Sequence, residues 1–215
     1  MCEIVLVRYF GLVSEDMVQG AVEGLNEALF EGQLKVPHMK VGMFCVKHLL
    51  MTLNISTAYE ISMNRDYPSY GYMLANNATT LWESWQFSPS TYSHNHPMFS
   101  SIGVWFVQGL GGIRQRPWSV GYSHIWLAPR SPCVTESNPS DSLSGVNVTF
   151  ETVRGVIESN WTQVNNAITE NGSEGYLFNW DFVVPYGSTA EVDLPGKEIE
   201  TVQAGVYHYT NVVLC

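Results

Sequence analysis

Tyr67-Pro-Ser-Tyr-Gly-Tyr-Met-Leu-Ala-Asn-Asn-Ala-Thr-Thr-Leu-Trp-Glu-Ser-Trp85, followed after a short polar loop by His94-Asn-His-Pro-Met-Phe99, is the stretch on which the reading of this chain turns. It gathers aromatic rings, hydroxyls, two imidazoles and one carboxylate. Between Pro68 and Ile113 the only acidic side chain is Glu83, and there is no Lys or Arg. A lone carboxylate between Trp82 and Trp85 calls for a chemical explanation. Indoles on either side withdraw water from it, which favours the protonated acid and suits a general base that takes a proton from water. The competing reading is a surface glutamate at a helix end with its aromatic neighbours turned inward.

The other titratable groups nearby narrow the choice. His94 and His96 stand two apart, a poor helical spacing for a shared metal, and no carboxylate adjoins them, so no metal site is expected. Either imidazole can hydrogen-bond a sugar hydroxyl, and either can simply cap a helix. Asp66 is the nearest second acid, and glycoside hydrolysis needs two carboxyl groups, about 6.5–9.5 Å apart in an inverting enzyme. Nothing in the spacing demands Asp66 for that role, and a loop position explains it equally well. His38 and His48 read as structural. Nucleophile-elbow, P-loop and dinucleotide-binding motifs are all missing, and no cofactor is expected.

Outward from this stretch, helical periodicity dominates the first half. Ser14 can cap a helix carrying Val18, Ala21, Val22, Leu25, Ala28 and Leu29 on one face, with Gly32 to end it. A second helix is expected from about Val41 to Leu53, with Val41, Phe44, Cys45, Leu49 and Leu53 inward. A third runs from Thr57 to Asn64 behind Ser56. Pro68 and Gly71 are expected to break regular structure. Asn95 or His96 can cap a further helix with Pro97 at its first position and Met98, Phe99, Ile102, Trp105, Phe106 and Leu110 as its stripe, ended by Gly111-Gly112.

Beyond Ile113 the period falls to two. Val146, Val148, Phe150 and Thr152 share one strand face, and Phe178, Trp180, Phe182 and Val184 another. Val192 with Leu194, and Val206 with His208 opposite Tyr207 and Tyr209, continue the alternation. Turn residues intervene at Gly145, Gly155, Asn171-Gly172, Gly187 and Pro195-Gly196. Ser131 to Ser144 reads as a loop. Helical hairpins followed by an antiparallel β-sandwich are the expectation, with the boundary near residues 112–118.

Composition sets outer limits. The 215 residues are 45% hydrophobic with a net charge of -10, which argues against nucleic acid and against anionic membranes as partners. Aromatic content is 13%, with seven Trp and eleven Tyr. That suits a large core or a carbohydrate site. Cys2, Cys45, Cys133 and Cys215 form no CxxC pair, and Cys45 on an apolar helical face reads as a buried thiol. Five sequons, at Asn54, Asn77, Asn147, Asn160 and Asn171, point towards the secretory pathway. The start of the chain does not resemble a signal peptide.

Three blocks in order, Tyr67–Leu74, Ala78–Trp85 and Asn95–Phe106, closely resemble the bacterial-type α-L-rhamnosidases of glycoside hydrolase family 78. His38-Met-Lys-Val-Gly-Met43 resembles a helix start of that family. Val153-Arg-Gly, Pro185, Val192-Asp-Leu-Pro and Ala204-Gly-Val-Tyr resemble its C-terminal β-domain. The resemblance covers essentially the whole chain. It implies the last helices of an (α/α)6 barrel over residues 1–114 and a β-sandwich domain over 115–215. The implied activity is inverting hydrolysis of terminal α-L-rhamnose from glycosides, without metal or organic cofactor. Glu83 matches the family's general base, His96 a sugar-contacting histidine, and Trp82 and Trp85 the aromatics around the site. Tyr70 stands where the family usually has Trp. Asn77 replaces the usual Gly and creates a sequon beside the site, where a glycan would crowd the pocket.

The family's general acid lies in helices upstream of the segment matched here. The chain is therefore expected to be a C-terminal portion, inactive by itself, with an exposed barrel face that permits self-association. Two other readings stay in view: a non-catalytic carbohydrate-binding or interaction protein derived from such an enzyme, and a glycosidase of different sugar specificity.

Overall fold

The computed structural model describes residues 2–12, 14–30, 37–90, 92–132, 143–168 and 174–213. They divide into two units, one ending at Trp105 and one beginning at Phe106. Gly32, Cys133, Cys215 and the Asn171-Gly172 turn lie outside the described residues, as does most of the Ser131–Ser144 loop.

The first unit is helical: α1 Cys2–Tyr9, α2 Glu15–Leu29, α3 Val46–Thr52, α4 Ile55–Met63 and α5 Tyr70–Ala75. A 3-10 helix, Pro97–Ser101, and the short α6, Ile102–Trp105, close it. Val5, Leu29, Val46, Leu49, Ala58 and Ile61 are fully buried between these helices. The apolar repeat of α2 brings Leu25 and Leu29 into this core.

The second helix is shorter than the Val41–Leu53 pattern predicts, because the chain bends and turns through 41–45 before α3 begins at Val46. Phe44 falls in that turn and is 69% exposed rather than inward. Cys45 is buried but is not a free thiol: it is joined to Cys2, with the two Cα atoms 5.8 Å apart. The bond ties α1 to the start of α3. Pairing across 43 residues leaves no spacing signal in the sequence.

The α4 cap is Asn54, whose side chain accepts from the Thr57 amide at 2.9 Å, and not Ser56. Pro68 interrupts regular structure as expected, in the bend between α4 and α5, but Gly71 does not. Ser69 accepts from the Tyr72 amide at 2.9 Å and starts α5 immediately after a cis Tyr67–Pro68 peptide. Gly71 sits inside α5 because the Asn64–Arg65 backbone crosses there. A Cβ at this position would stand 2.5 Å from the Asn64 carbonyl oxygen. His38 is structural, as read: buried, with Nδ1 3.0 Å from the Tyr67 carbonyl.

The second unit opens with a π-helical turn, Phe106–Leu110, then places its strands in two four-stranded sheets. One has the order β1 (Ile113–Gln115), β2 (His124–Leu127), β6 (Thr189–Val192), β7 (Glu200–Val202). The other has β3 (Gly145–Thr152), β4 (Gly155–Ile168), β5 (Glu174–Val184), β8 (Gly205–Val213). The passage from 3-10 to α to π geometry over Pro97–Leu110 changes the turn angle twice. The predicted stripe therefore splits, with Phe99, Trp105 and Leu110 buried but Met98 and Phe106 well exposed.

The predicted alternation holds. Phe178, Trp180, Phe182 and Val184 are buried on one face of β5, and Val192 and Leu194 join the same core. Not every pair is antiparallel, however. β2 and β6 run parallel, Ile125 opposite Ala190, because the chain leaves the first sheet after β2, builds three strands of the second, and returns in the same direction.

Two buried indoles fix the entry to this unit: Trp161 Nε1 donates to the Leu110 carbonyl at 2.8 Å. Trp180 Nε1 donates to Ser159 Oγ at 3.0 Å, and Ser159 in turn donates to the Gly111 carbonyl at 2.6 Å. Gly112, at φ +70°, lies so close to Ala128–Pro129 that a Cβ would be 2.5 Å from Pro129 Cα.

Candidate functional site

Trp82, Glu83, Trp85, His94 and His96 lie on one segment of the helical unit, between α5 and the 3-10 helix. Its limbs are stitched by backbone bonds. The Glu83 amide donates to the Ser93 carbonyl at 2.9 Å, and the His96 amide to the Leu81 carbonyl at 2.8 Å. Thr80 Oγ1 adds a bond to the His94 carbonyl. Residues 83–86 form a bend, so Glu83 is on a closed loop and not on a helix.

The Glu83 side chain is half-buried, and its Oε2 accepts from the Ser93 amide at 2.9 Å. Glu83 and Ser93 therefore hold each other twice, backbone to backbone and backbone to carboxylate. A charge-assisted bond of this kind fixes a carboxylate rotamer more firmly than a neutral one.

The two flanking indoles are core residues, 4% exposed at Trp82 and 7% at Trp85. Trp85 Nε1 donates to the Val41 carbonyl at 2.7 Å. Its ring lies 4.0 Å from Phe99 and edge-on to Tyr70 at 5.1 Å. Tyr70 in turn donates its hydroxyl to the Phe99 carbonyl at 2.6 Å, and burial pushes its phenol far above the ordinary range. Trp82 packs on Phe87 at 5.3 Å. Both indoles thus form the backing on which the Glu83 loop rests.

The structure separates the two histidines. His94 is committed to the loop, with Nε2 2.8 Å from the Ser88 carbonyl and its ring stacked on Phe87 at 4.5 Å. His96 occupies the N-cap position of the 3-10 helix, as expected, yet its side chain makes no capping bond. It is half-buried. Asp66 is exposed in the bend that precedes α5, with its amide bonded to Asn64 Oδ1 at 2.8 Å. Asn77 is exposed and left-handed, φ 60°, in the turn that follows α5. Among the described residues there is no group of three or more His, Cys, Asp or Glu able to hold a metal ion.

Sequence reasoning did not find the Ser93 amide or the Val41 carbonyl. Both are backbone groups, and no side-chain identity signals them. The 44-residue separation of Trp85 from Val41 leaves no local trace either.

Residues 2–110 match the bacterial alpha-L-rhamnosidase 6 hairpin glycosidase domain, and residues 112–208 the bacterial alpha-L-rhamnosidase C-terminal domain. The chain belongs to the bacterial α-L-rhamnosidase family. An α-L-rhamnosidase of Formosa agariphila is 28% identical over 218 residues, covering 96% of this chain and 21% of that protein. The structure of the α-L-rhamnosidase of Dictyoglumus thermophilum superposes with a TM-score of 0.81 at 26% identity, over 97% of this chain and 25% of that one. The Streptomyces avermitilis α-L-rhamnosidase, solved with L-rhamnose, shares the fold at a TM-score of 0.77 and 23% identity, over 97% of this chain and 21% of that one. The chain spans about a fifth of the length of the curated relatives it matches. Its architecture is accordingly part of the six-hairpin rhamnosidase domain followed by the family's C-terminal domain.

Proposed function

We propose that this chain supplies one wall of an inverting α-L-rhamnosidase site, with Glu83 as the general base. In this reading the Glu83 carboxylate takes a proton from water while the water oxygen attacks the anomeric carbon of a terminal α-L-rhamnose. An acid on the remaining barrel helices protonates the departing glycosidic oxygen. Ser93 holds Oε2, so Oε1 is the oxygen assigned to meet water. His96 is assigned a hydrogen bond to a sugar hydroxyl, and Trp82 and Trp85 shape the wall from behind. The boundary between the barrel part, 1–114, and the β-domain, 115–215, belongs to the same proposal.

The observation that carries it is the setting of Glu83. It is the only acid between Pro68 and Ile113, half-buried in a loop whose flanking indoles are core residues, and locked by the Ser93 amide. Membership of the rhamnosidase family supplies the substrate class.

The test is hydrolysis of an aryl α-L-rhamnoside. The 215 residues alone are expected to show negligible turnover, since general acid assistance by itself contributes about 10²–10⁴-fold. Robust turnover by the purified chain, abolished in Glu83→Gln, would refute the need for the other wall. In a polypeptide that joins these residues to the rest of the barrel, Glu83→Gln should lower kcat by about 10²–10⁴-fold. Wild-type kcat in that variant rejects Glu83 as the base.

A further inference from the structure

The second unit carries a cleft that the rhamnosidase reading leaves unused. It lies at one end of the β1-β2-β6-β7 sheet and has a volume of about 460 Å³, inside the range of small-molecule sites, about 300–1,000 Å³. Ser123 and His124 line it at the start of β2, Tyr186 and Ser188 from the β5–β6 connection, Thr189 from the start of β6, and Gln203 from the β7–β8 connection. From these features we infer that the cleft is an auxiliary carbohydrate site that takes a neutral pyranose.

Two observations support this ligand class. The lining residues include no acid, Lys or Arg; beside Gly187 and Ala204 they carry hydroxyl, amide and imidazole groups with one phenol. An ammonium ligand finds no carboxylate among the lining residues, and the Arg154 guanidinium is engaged by the Gly187 carbonyl, whereas sugar hydroxyls find donors and acceptors. Tyr186 is 93% exposed, and Trp118, 64% exposed, packs on His124 at 4.5 Å. An exposed flat ring on the cleft lining, such as Tyr186, can cover the apolar C–H face of a pyranose and keep its own polar atom wet.

The cleft is also held in shape. Ser119 Oγ accepts from the His124 amide at 2.9 Å and lies 3.1 Å from Ser123 Oγ, which is 3.2 Å from His124 Nδ1. The Thr189 amide donates to the Ser123 carbonyl at 3.0 Å, joining the two strands that form the floor. On the loop above, Arg154 Nη1 donates to the Gly187 carbonyl at 3.0 Å. A scaffold that does not rearrange on binding spares the ligand that cost.

The site is independent of Glu83 and His96, and one experiment separates the two. Saturation-transfer NMR and titration on the 215-residue chain would use methyl α-L-rhamnopyranoside, methyl β-D-glucopyranoside and methyl β-D-galactopyranoside as probes. At least one is expected to bind saturably, with Kd raised about tenfold in Tyr186→Ala and raised in Gln203→Ala. The Kd should be unchanged in Glu83→Gln and His96→Ala. Both cleft side chains are exposed, so their removal leaves the amide spectrum of a folded chain, which checks the variants. No binding by any of the three sugars overturns the proposal. So does binding that survives Tyr186→Ala and Gln203→Ala unchanged, or that is lost in Glu83→Gln or His96→Ala instead.

Discussion

Trp85 offers the sharpest test of how the Glu83 loop is held. Two contributions can be separated by two substitutions. Trp85→Ala removes a ring that is 7% exposed and packed against Phe99 and Tyr70. Loss of a buried indole with incomplete collapse of the cavity costs about 3–5 kcal/mol. Trp85→Phe keeps most of the ring but deletes the Nε1 donor that meets the Val41 carbonyl at 2.7 Å. Val41 is 5% exposed, so its carbonyl is left without that partner in a place water reaches poorly, a loss of about 1–3 kcal/mol. The expected order is wild type, then Phe, then Ala, with Phe near 2 kcal/mol below wild type on the scale just given. Urea unfolding followed through the far-UV helical signal reads the first unit, where nearly all the helix resides. A Trp85→Phe midpoint indistinguishable from wild type would show that the Val41 bond contributes nothing and that the loop is held by packing alone. Equal losses in Phe and Ala would show the reverse, that the bond carries the whole effect.

Further outcomes follow from other parts of the fold. The folded-state pKa of His48 is lowered, first by burial and then by Lys47. The unfolded chain therefore binds the proton more readily, and helical-unit stability should fall as pH drops below about 6.5; His48→Asn should flatten that slope, and an unchanged slope refutes the assignment. Tyr209 is raised to about 12 by burial and by its hydrogen bond and charge contact with Glu200. Stability linked to it is full below pH ~10 and is lost as pH rises towards the folded value, a loss that alkaline denaturation of Tyr209→Phe should lack. Breaking the Cys2–Cys45 bond, which closes 43 residues, should lower stability by about 4 kcal/mol on chain-entropy grounds; Cys45→Ser melting with wild-type Tm would refute the tie. Gly112→Ala should abolish soluble expression or lower Tm sharply, because the new Cβ meets Pro129 backbone at φ +70°. Phe10, Leu12, Met17, Phe44 and Leu74 are exposed, so the chain should bind a hydrophobic dye or self-associate, and sedimentation as a dye-negative monomer would count against an uncovered barrel face.

Much of the fold was legible because its signals are local. Period-two alternation put Phe178, Trp180, Phe182 and Val184 on one buried face, and that needs only the geometry of a single strand. Leu25 and Leu29 followed from helical spacing in the same way. Three ordered blocks were enough to mark the rhamnosidase family, which the domain matches bear out. Glu83 and His96 stood out because acids and imidazoles are scarce in that stretch.

What the sequence could not decide were pairings between distant segments. Cys2 meets Cys45, Trp85 meets the Val41 carbonyl, and β2 pairs in parallel with β6 inside one sheet. Each depends on where the chain returns in space, and periodicity carries no information about that. The same limit applies to the opening stretch. Its sequence placed one carboxylate between two indoles. Tertiary structure turned those indoles inward as core and fastened Oε2 to the Ser93 amide. A backbone donor ten residues away has the same chemistry whatever its side chain, so only the closed loop reveals it.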